Sequence, residues 1–385
     1  MSLTVTPPPA GTPTGPVSLA RADGGDGLVD IVSGSFGAGH DAAGREIARR
    51  LEARGFATRT WDIVDLMPGA VGRALRAGYL RQVQSLPATW SWTLRSVEAH
   101  PSVARGVVRA LGMAEPGLLA LAADGPVAIV STHPFASQAL GRLRRSGRLD
   151  VPVVTYLTDM SVHPLWVHPA VDLHLAVHAL PAAEARRRGA GHTRVVRPAV
   201  PDVFSALAGG RRAPLEARRT LGLPLDERLV LVTGGSCGIG DLEAAAADIA
   251  ATGLAVPVVL CGRNERLRER VGARGPAIAL GWTDDMCSVL DAVDAVVQNS
   301  GGFTSLETLA AGVPILTYRC ITGHGETNAR ALDEAGLVPW VRSPEDLADG
   351  LRAVLAAEAL SPPTSWWGYD DVVDAILSRV PAWVR

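Results

Sequence analysis

Two doubly wound α/β domains facing one another across a cleft are the fold class this chain predicts, on three observations. Its 385 residues exceed what one core of ordinary size organises and suit two. Short β-branched runs alternate with helical stretches from Leu28 onward, the pattern of parallel strands covered on both faces. The alternation breaks off near residues 198–226, in a stretch rich in Pro, Gly and Arg, and then starts again.

Taken in order, residues 1–27 carry neither a charged n-region nor an apolar h-region and read as a disordered tail. A first domain, 28–200, holds candidate strands at 28–33 (LVDIVS), 57–61 (ATRTW), 127–131 (VAIVS), 151–157 (VPVVTYL), 173–177 (LHLAV) and 193–196 (TRVV). Residues 201–227 read as an interdomain linker. A second domain, 228–360, restarts with strands at 229–234 (LVLVTG), 256–261 (VPVVLC), 277–280 (AIAL), 294–299 (DAVVQN) and 313–318 (VPILTY). Residues 361–385 follow with a helix whose stripe of Val373, Ile376, Leu377 and Val380 packs either on its own domain or back on the first.

Composition narrows the function. Apolar residues at 47% with 20% charged describe a folded globular chain, and a net charge of −2 gives no basic field for nucleic acid. All 37 basic residues are arginine, which excludes a Walker A lysine, a Schiff-base lysine and a Tyr-x-x-x-Lys dyad. Cys237, Cys261, Cys287 and Cys320 stand singly at wide spacings, as thiols of a reducing, cytoplasmic compartment do. No run of eighteen apolar residues occurs, so no membrane-crossing helix is expected. The histidines do not read as a metal site and Asp-x-Asp is absent, so no metal is predicted.

The densest chemistry lies in 294–331: an apolar strand, the Ser300-Gly301-Gly302 turn, a helix with one glutamate, a strand and a polar loop. Such a turn aims unpaired helix amides at an anion, and the glycines let it approach. Glu307, in the helix's second turn, is placed to accept hydrogen bonds from both hydroxyls of a ribose, so the ligand reads as a nucleotide. A second Gly-rich turn, Thr233–Gly240, has the spacing of the short-chain dehydrogenase cofactor loop, but those enzymes need a lysine that this chain lacks. From the residues alone, the glycines of this loop either tighten it or open it to an anion.

In the first domain the opening strand leads to Gly37-Ala38-Gly39-His40. With Gly34 the spacing is G-x-x-G-x-G, which departs from the dinucleotide fingerprint. A helix N-terminus disfavours protonated imidazole, so His40 is a candidate base; helix capping is the competing reading. Ser131-Thr132-His133-Pro134 and Thr158-Asp159 through His163-Pro164 follow two strands, where a doubly wound sheet presents polar residues to its cleft. Asp159 orients an imidazole or caps a turn. Arg263 and the loop from Gly281 through Trp282 to Met286 end strands of the second domain; Arg263 offsets diphosphate charge or stays on the surface. Residues 71–109 hold six Arg against one Glu, with Tyr79, Trp90 and Trp92. On a helical wheel Val71, Leu75, Tyr79, Val83 and Leu86 share one face with Arg73 and Arg76 opposite, fitting an anionic membrane surface or a core-packed stripe.

Residues 299–328 resemble the donor-nucleotide signature of GT-B glycosyltransferases, most closely the monogalactosyldiacylglycerol synthases and the peptidoglycan transferase that adds N-acetylglucosamine to lipid I. The resemblance extends over about residues 28–345. It implies that the Ser300-Gly301-Gly302 turn faces a diphosphate, that Gly235, Ser236, Gly238 and Gly240 meet the nucleotide's phosphates or the adjoining cleft, that Glu307 holds the ribose, and that His324, Glu326 and Asn328 contact the sugar, His324 standing where Gln is usual. It further implies that the loop of Trp282 and Met286 reads the uracil, that His40 after Gly39 is the base, and that His133, His163 and Asp159 flank the acceptor, whose hydroxyl Asp159 would orient. The implied activity is inverting, metal-independent transfer from a UDP-sugar, without a cofactor, to a lipid-linked or other hydroxyl acceptor at the inner face of the plasma membrane. A UDP-sugar 2-epimerase, a soluble natural-product glycosyltransferase and a non-catalytic nucleotide-sugar binder stand as alternatives.

Overall fold

The structure, a computed structural model, describes residues 27–85, 106, 109–208, 214–273, 275–357, 363, 366 and 368–380. Residues 1–26 of the expected tail, and Leu86, Trp90 and Trp92 of the basic stretch, lie outside the described residues. Strands form where the β-branched runs predict them. β1 (Leu28–Ser33), β2 (Ala57–Asp62), β3 (Ala128–Ser131), β4 (Val153–Tyr156), β5 (Leu173–Ala176) and β6 (Thr193–Val195) make one sheet, ordered β2-β1-β3-β4-β5-β6. β7 (Leu229–Thr233), β8 (Val256–Leu260), β9 (Ile278–Leu280), β10 (Ala295–Gln298) and β11 (Ile315–Thr317) make the second, ordered β11-β10-β7-β8-β9. Every ladder is parallel. β3, β4, β5 and β7 are buried at every position, which is why apolar residues follow one another in β3, β4 and β7 instead of alternating.

Helices α1 (Ala38–Glu52), α2 (Val71–Ser85), α3 (Glu115–Ala122), α4 (Pro134–Arg145) and α5 (Ala179–Arg187) belong to the first sheet's side of the chain. They are followed by α6 (Asp202–Ala208), α7 (Pro214–Leu221), α8 (Leu242–Ala251), α9 (Glu265–Ala273), α10 (Met286–Ala292), α11 (Phe303–Ala310), α12 (His324–Glu334), α13 (Leu347–Ala356) and α14 (Val372–Leu377). Strand order reverses direction between β1 and β3 in one sheet and between β7 and β10 in the other. Open α/β sheets bind ligands at such switch points, beyond the carboxyl ends of the strands.

Two expectations need correction. The stretch 201–227 is not a plain linker, because α6 and α7 pack on α10 and α11 of the second domain. Buried Arg218 explains this: Nε donates to the Ala292 carbonyl, Nη1 to those of Leu225 and Glu227, and Nη2 to Asp294. Composition counted this arginine as linker charge, whereas its bonds to Ala292 and Asp294 fix the segment to the second domain and those to Leu225 and Glu227 brace the segment itself. In α2, Arg76 turns inward to Asp62 and Ser35 instead of standing opposite the apolar face as free charge. Gly72 sets that orientation, since a Cβ there would meet the Val64 carbonyl oxygen at 1.9 Å. Leu75, 40% exposed, and Arg73 are left outside.

The terminal helix α14 lies against α1 of the first domain. Arg50 of α1 donates to Asp371 at 3.0 Å and to the Val200 carbonyl at 2.6 Å, Arg54 pairs with Asp374, and Val196 forms a parallel bridge with Asp370.

Candidate active site

The cleft between the two switch points encloses about 390 Å³, within the range of small-molecule sites. Gly39, His40, Arg45, His133, Asp159 and His163 line it from the first domain; Gly235, Ser236, Trp282, Met286, Ser300, Gly302, Glu307 and His324 line it from the second.

Its anion-binding character comes from backbone. The N-caps of α1 and α11 are Gly37 and Gly302, and neither helix start has a side-chain cap. Each therefore keeps free amides and about half a positive charge at the cleft. The Ala38 amide donates to Ser236 Oγ at 3.3 Å, so the 234–240 loop touches α1 across the gap. Glycines elsewhere in these turns make room. Cβ atoms at Gly34 and Gly39 would meet the His133 ring at 2.8 Å and Phe303 Cβ at 2.7 Å, so the G-x-x-G-x-G spacing lets an imidazole and the opposite domain come close. Gly238, Gly240 and Gly301, expected at the phosphates, do not line the cleft; their Cβ atoms would strike Cys261 O, Asn299 Nδ2 and Asn328 Cβ within 2.7 Å, so they serve tight packing.

Two adjacent imidazoles take opposite tautomers. The His40 Nδ1 lies 2.8 Å from the Thr132 carbonyl, which can only accept, so Nδ1 carries the proton and Nε2 keeps its lone pair. Burial lowers the imidazole's pKa, against the opposing effects of the Asp159 charge and the Thr132 bond. The His133 Nδ1 accepts from the Phe135 amide at 3.2 Å and caps α4, so in the neutral ring Nε2 is the donor. Burial holds His133 well below the ordinary histidine value, with His40 and His163 adding to it. The two rings meet edge to face, 4.6 Å between centroids. One presents a lone pair and its neighbour an N–H. His163 is neutral too, lowered to about 3 by burial and by nearby His324.

Asp159 does not hydrogen-bond His40. It accepts from Trp166 Nε1 at 3.2 Å and lies 3.5 Å from His324 Nε2. Burial would raise its carboxyl, but His324, joined by His40 and His163, outweighs that and holds it at about 2. The imidazole it orients belongs to the second domain.

The expected sugar loop divides. His324 reaches the cleft; Glu326 and Asn328 do not. Glu326 accepts from the Gly323 amide at 3.1 Å, and fully buried Asn328 has both ends of its amide engaged. Arg263 also stays out of the wall, its guanidinium stacked 4.1 Å from the Trp282 ring centre. The charge in the wall is instead Arg45, which the sequence reading missed. It lies one helical turn past Ala42, on the face of α1 that lines the cleft, and that spacing was the available signal. Burial raises Glu307 to about 8, and the opposing pull comes from Arg45 across the gap. Thr132, which sets the His40 tautomer, and Ser161 were missed as well, although both sit in strand-end segments that the sequence marked.

Among the described residues no group of three His, Cys, Asp or Glu side chains could hold a metal, and no helix is long and apolar enough to cross a membrane.

A family model described as monogalactosyldiacylglycerol (MGDG) synthase matches residues 72–198. Monogalactosyldiacylglycerol synthase 1 of Arabidopsis thaliana is 29% identical over 237 residues, 58% of this chain and 44% of that protein. The processive diacylglycerol beta-glucosyltransferase of Bacillus subtilis is 24% identical over 238 residues, 60% of this chain and 62% of that one. The matched region thus spans less than two thirds of either relative. Among solved structures, Acinetobacter baumannii MurG superposes with a TM-score of 0.52 at 15% identity, covering 91% of this chain and 99% of that one. Arabidopsis thaliana UGT89C1 complexed with quercetin superposes with 0.58 at 14%, covering 92% and 100%. The fold is GT-B.

Proposed function

We propose that this chain, a member of the monogalactosyldiacylglycerol synthase- and MurG-like GT-B family, moves a sugar from a UDP-sugar to the hydroxyl of a lipid acceptor, with inversion and without a metal. The observation that carries the reading is His40. Its Nε2 lone pair lies at the cleft beyond the β1/β3 switch point, with the uncapped start of α11 on the other side. In the proposed step Nε2 takes the acceptor hydroxyl's proton as that oxygen attacks the anomeric carbon from the face opposite the diphosphate. The amides at the start of α11 and in the 234–240 loop receive the charge that builds on the departing diphosphate. Glu307 holds the ribose once ionised, and Trp282, 40% exposed over the cleft, offers a face to the base. The diacylglycerol enzymes among the relatives support a diacylglycerol-type acceptor, and exposed Leu75 and Arg73 of α2 support a peripheral stance on an anionic bilayer.

The deciding experiment offers UDP-glucose, UDP-galactose and UDP-N-acetylglucosamine with and without diacylglycerol in anionic vesicles and follows UDP release. Release that needs the lipid supports the reading. Release without acceptor, accompanied by an altered free sugar, assigns a 2-epimerase; no release with any pair defeats it.

A further inference from the structure

The cleft is spanned by contacts that the transfer step does not use. Asp159 and Ser161, past β4, face the head of α12. The Ser161 amide donates to Asn328 Oδ1 at 2.8 Å, and its hydroxyl reaches the same oxygen at 3.0 Å. Thr327 Oγ1 lies 3.1 Å from that hydroxyl. Because a backbone amide only donates, this bond fixes the Asn328 side chain with Oδ1 toward Ser161 and Nδ2 toward Ser300 O and His324 Nε2, both at 3.2 Å. An amide N–H is received only by an unprotonated Nε2. Yet Asp159 Oδ2 stands 3.5 Å from that same nitrogen, and a carboxylate binds it only when it carries a proton. One ring nitrogen therefore has two mutually exclusive partners: an amide of its own domain and a carboxylate of the opposite one.

We propose that His324 is a positioning residue, tying the second domain's sugar-side loop to Asp159 when it carries a proton and releasing it to Asn328 when neutral. The tie closes the cleft more firmly in mild acid and slackens it above neutrality. The groups facing His324 fit this. From the first domain they are Asp159, His163 with its ring 5.9 Å away, and His40, both imidazoles kept neutral by burial and so not repelling a third charge. Within its own helix Glu326 is committed to the Gly323 amide. The inference rests on the proposed transfer only in giving the loop a sugar to position.

Hydrogen–deuterium exchange of the full chain tests it through the Ser161 amide, read at about pH 6 and about pH 8 after correction for intrinsic rates. Protection should be about threefold or more greater at the lower pH. His324→Gln, which offers Asn328 an amide oxygen but takes no proton, should make the two values equal, as should Asp159→Asn. The acid side of the donor KM profile should flatten in His324→Gln. Equal protection at both pH values in the parent chain, or a difference that survives His324→Gln, overturns the proposal. Exchange does not depend on turnover, so a chain that shows the tie but releases no UDP defeats only the transferase reading.

Discussion

Replacing Glu307 by Gln should stabilise this chain and weaken its nucleotide at the same time. Burial on the cleft-facing side of α11 lifts the carboxyl from 4.5 to about 8, against the pull of Arg45. At pH 7 the folded chain thus holds a proton that the unfolded chain has released. At about 1.4 kcal/mol per tenfold, this costs at most about 3 kcal/mol, and about half that once solvent screening of a partly exposed group is allowed for. The penalty is absent below pH 4.5, grows as pH rises and is complete above about 8. Gln removes it, so the melting temperature should rise by about 2–4 °C at pH 8, and by little at pH 5. The same change deletes the carboxylate that would accept two ribose hydroxyls, at about 1.5–3 kcal/mol for each charged hydrogen bond, so UDP should bind about ten- to a hundredfold more weakly. Scanning fluorimetry at the two pH values and titration calorimetry with UDP read both effects. A variant that melts lower than the parent at pH 8, or binds UDP unchanged, refutes the argument.

His40→Ala should lose about a hundredfold or more in kcat with UDP affinity little altered; because burial lowers its pKa, the parent's acid limb in a kcat/KM profile should fall below pH 6.5. UDP affinity of the parent should rise with pH through about 8 as Glu307 ionises, with proton release visible when calorimetry is repeated in buffers of different ionisation enthalpy. Gly39→Ala drives a methyl into Phe303 and should destabilise the chain by about 1–3 kcal/mol in denaturant melts while reducing turnover. Arg73→Glu with Leu75→Glu should abolish sedimentation with anionic liposomes at low salt, whereas Arg76→Glu should act through lost stability, since Asp62 already holds that arginine.

Strand positions were legible because parallel strands buried on both faces read as short β-branched runs, as β4 (Val153–Tyr156) and β7 (Leu229–Thr233) do. His40 and Glu307 were legible because each follows a Gly-rich turn at a strand end. What the sequence hid was the direction of side chains that face a long-range partner. Asn328 sits in a motif that implies a sugar contact, but Ser161, distant along the chain, takes its oxygen. Arg218 looked like linker charge until the backbone carbonyls around it were in place. Glycines of one turn divided between ligand approach and helix packing for the same reason: what a missing Cβ makes room for depends on the neighbour that arrives.

The return of α14 to α1 makes the second domain, in topological terms, an insertion. Its whole globule is spliced between Val200 and Asp370 of a unit that otherwise closes on itself. The outgoing and incoming segments lie side by side, bridged at Val196 and Asp370 and gripped together by Arg50. Two adjacent crossings behave as the two leaves of one hinge, permitting rotation about a single axis and resisting twist. They also mark a splice point, where joining the chain across the paired segments would delete the second domain and leave the ends of the first already in register.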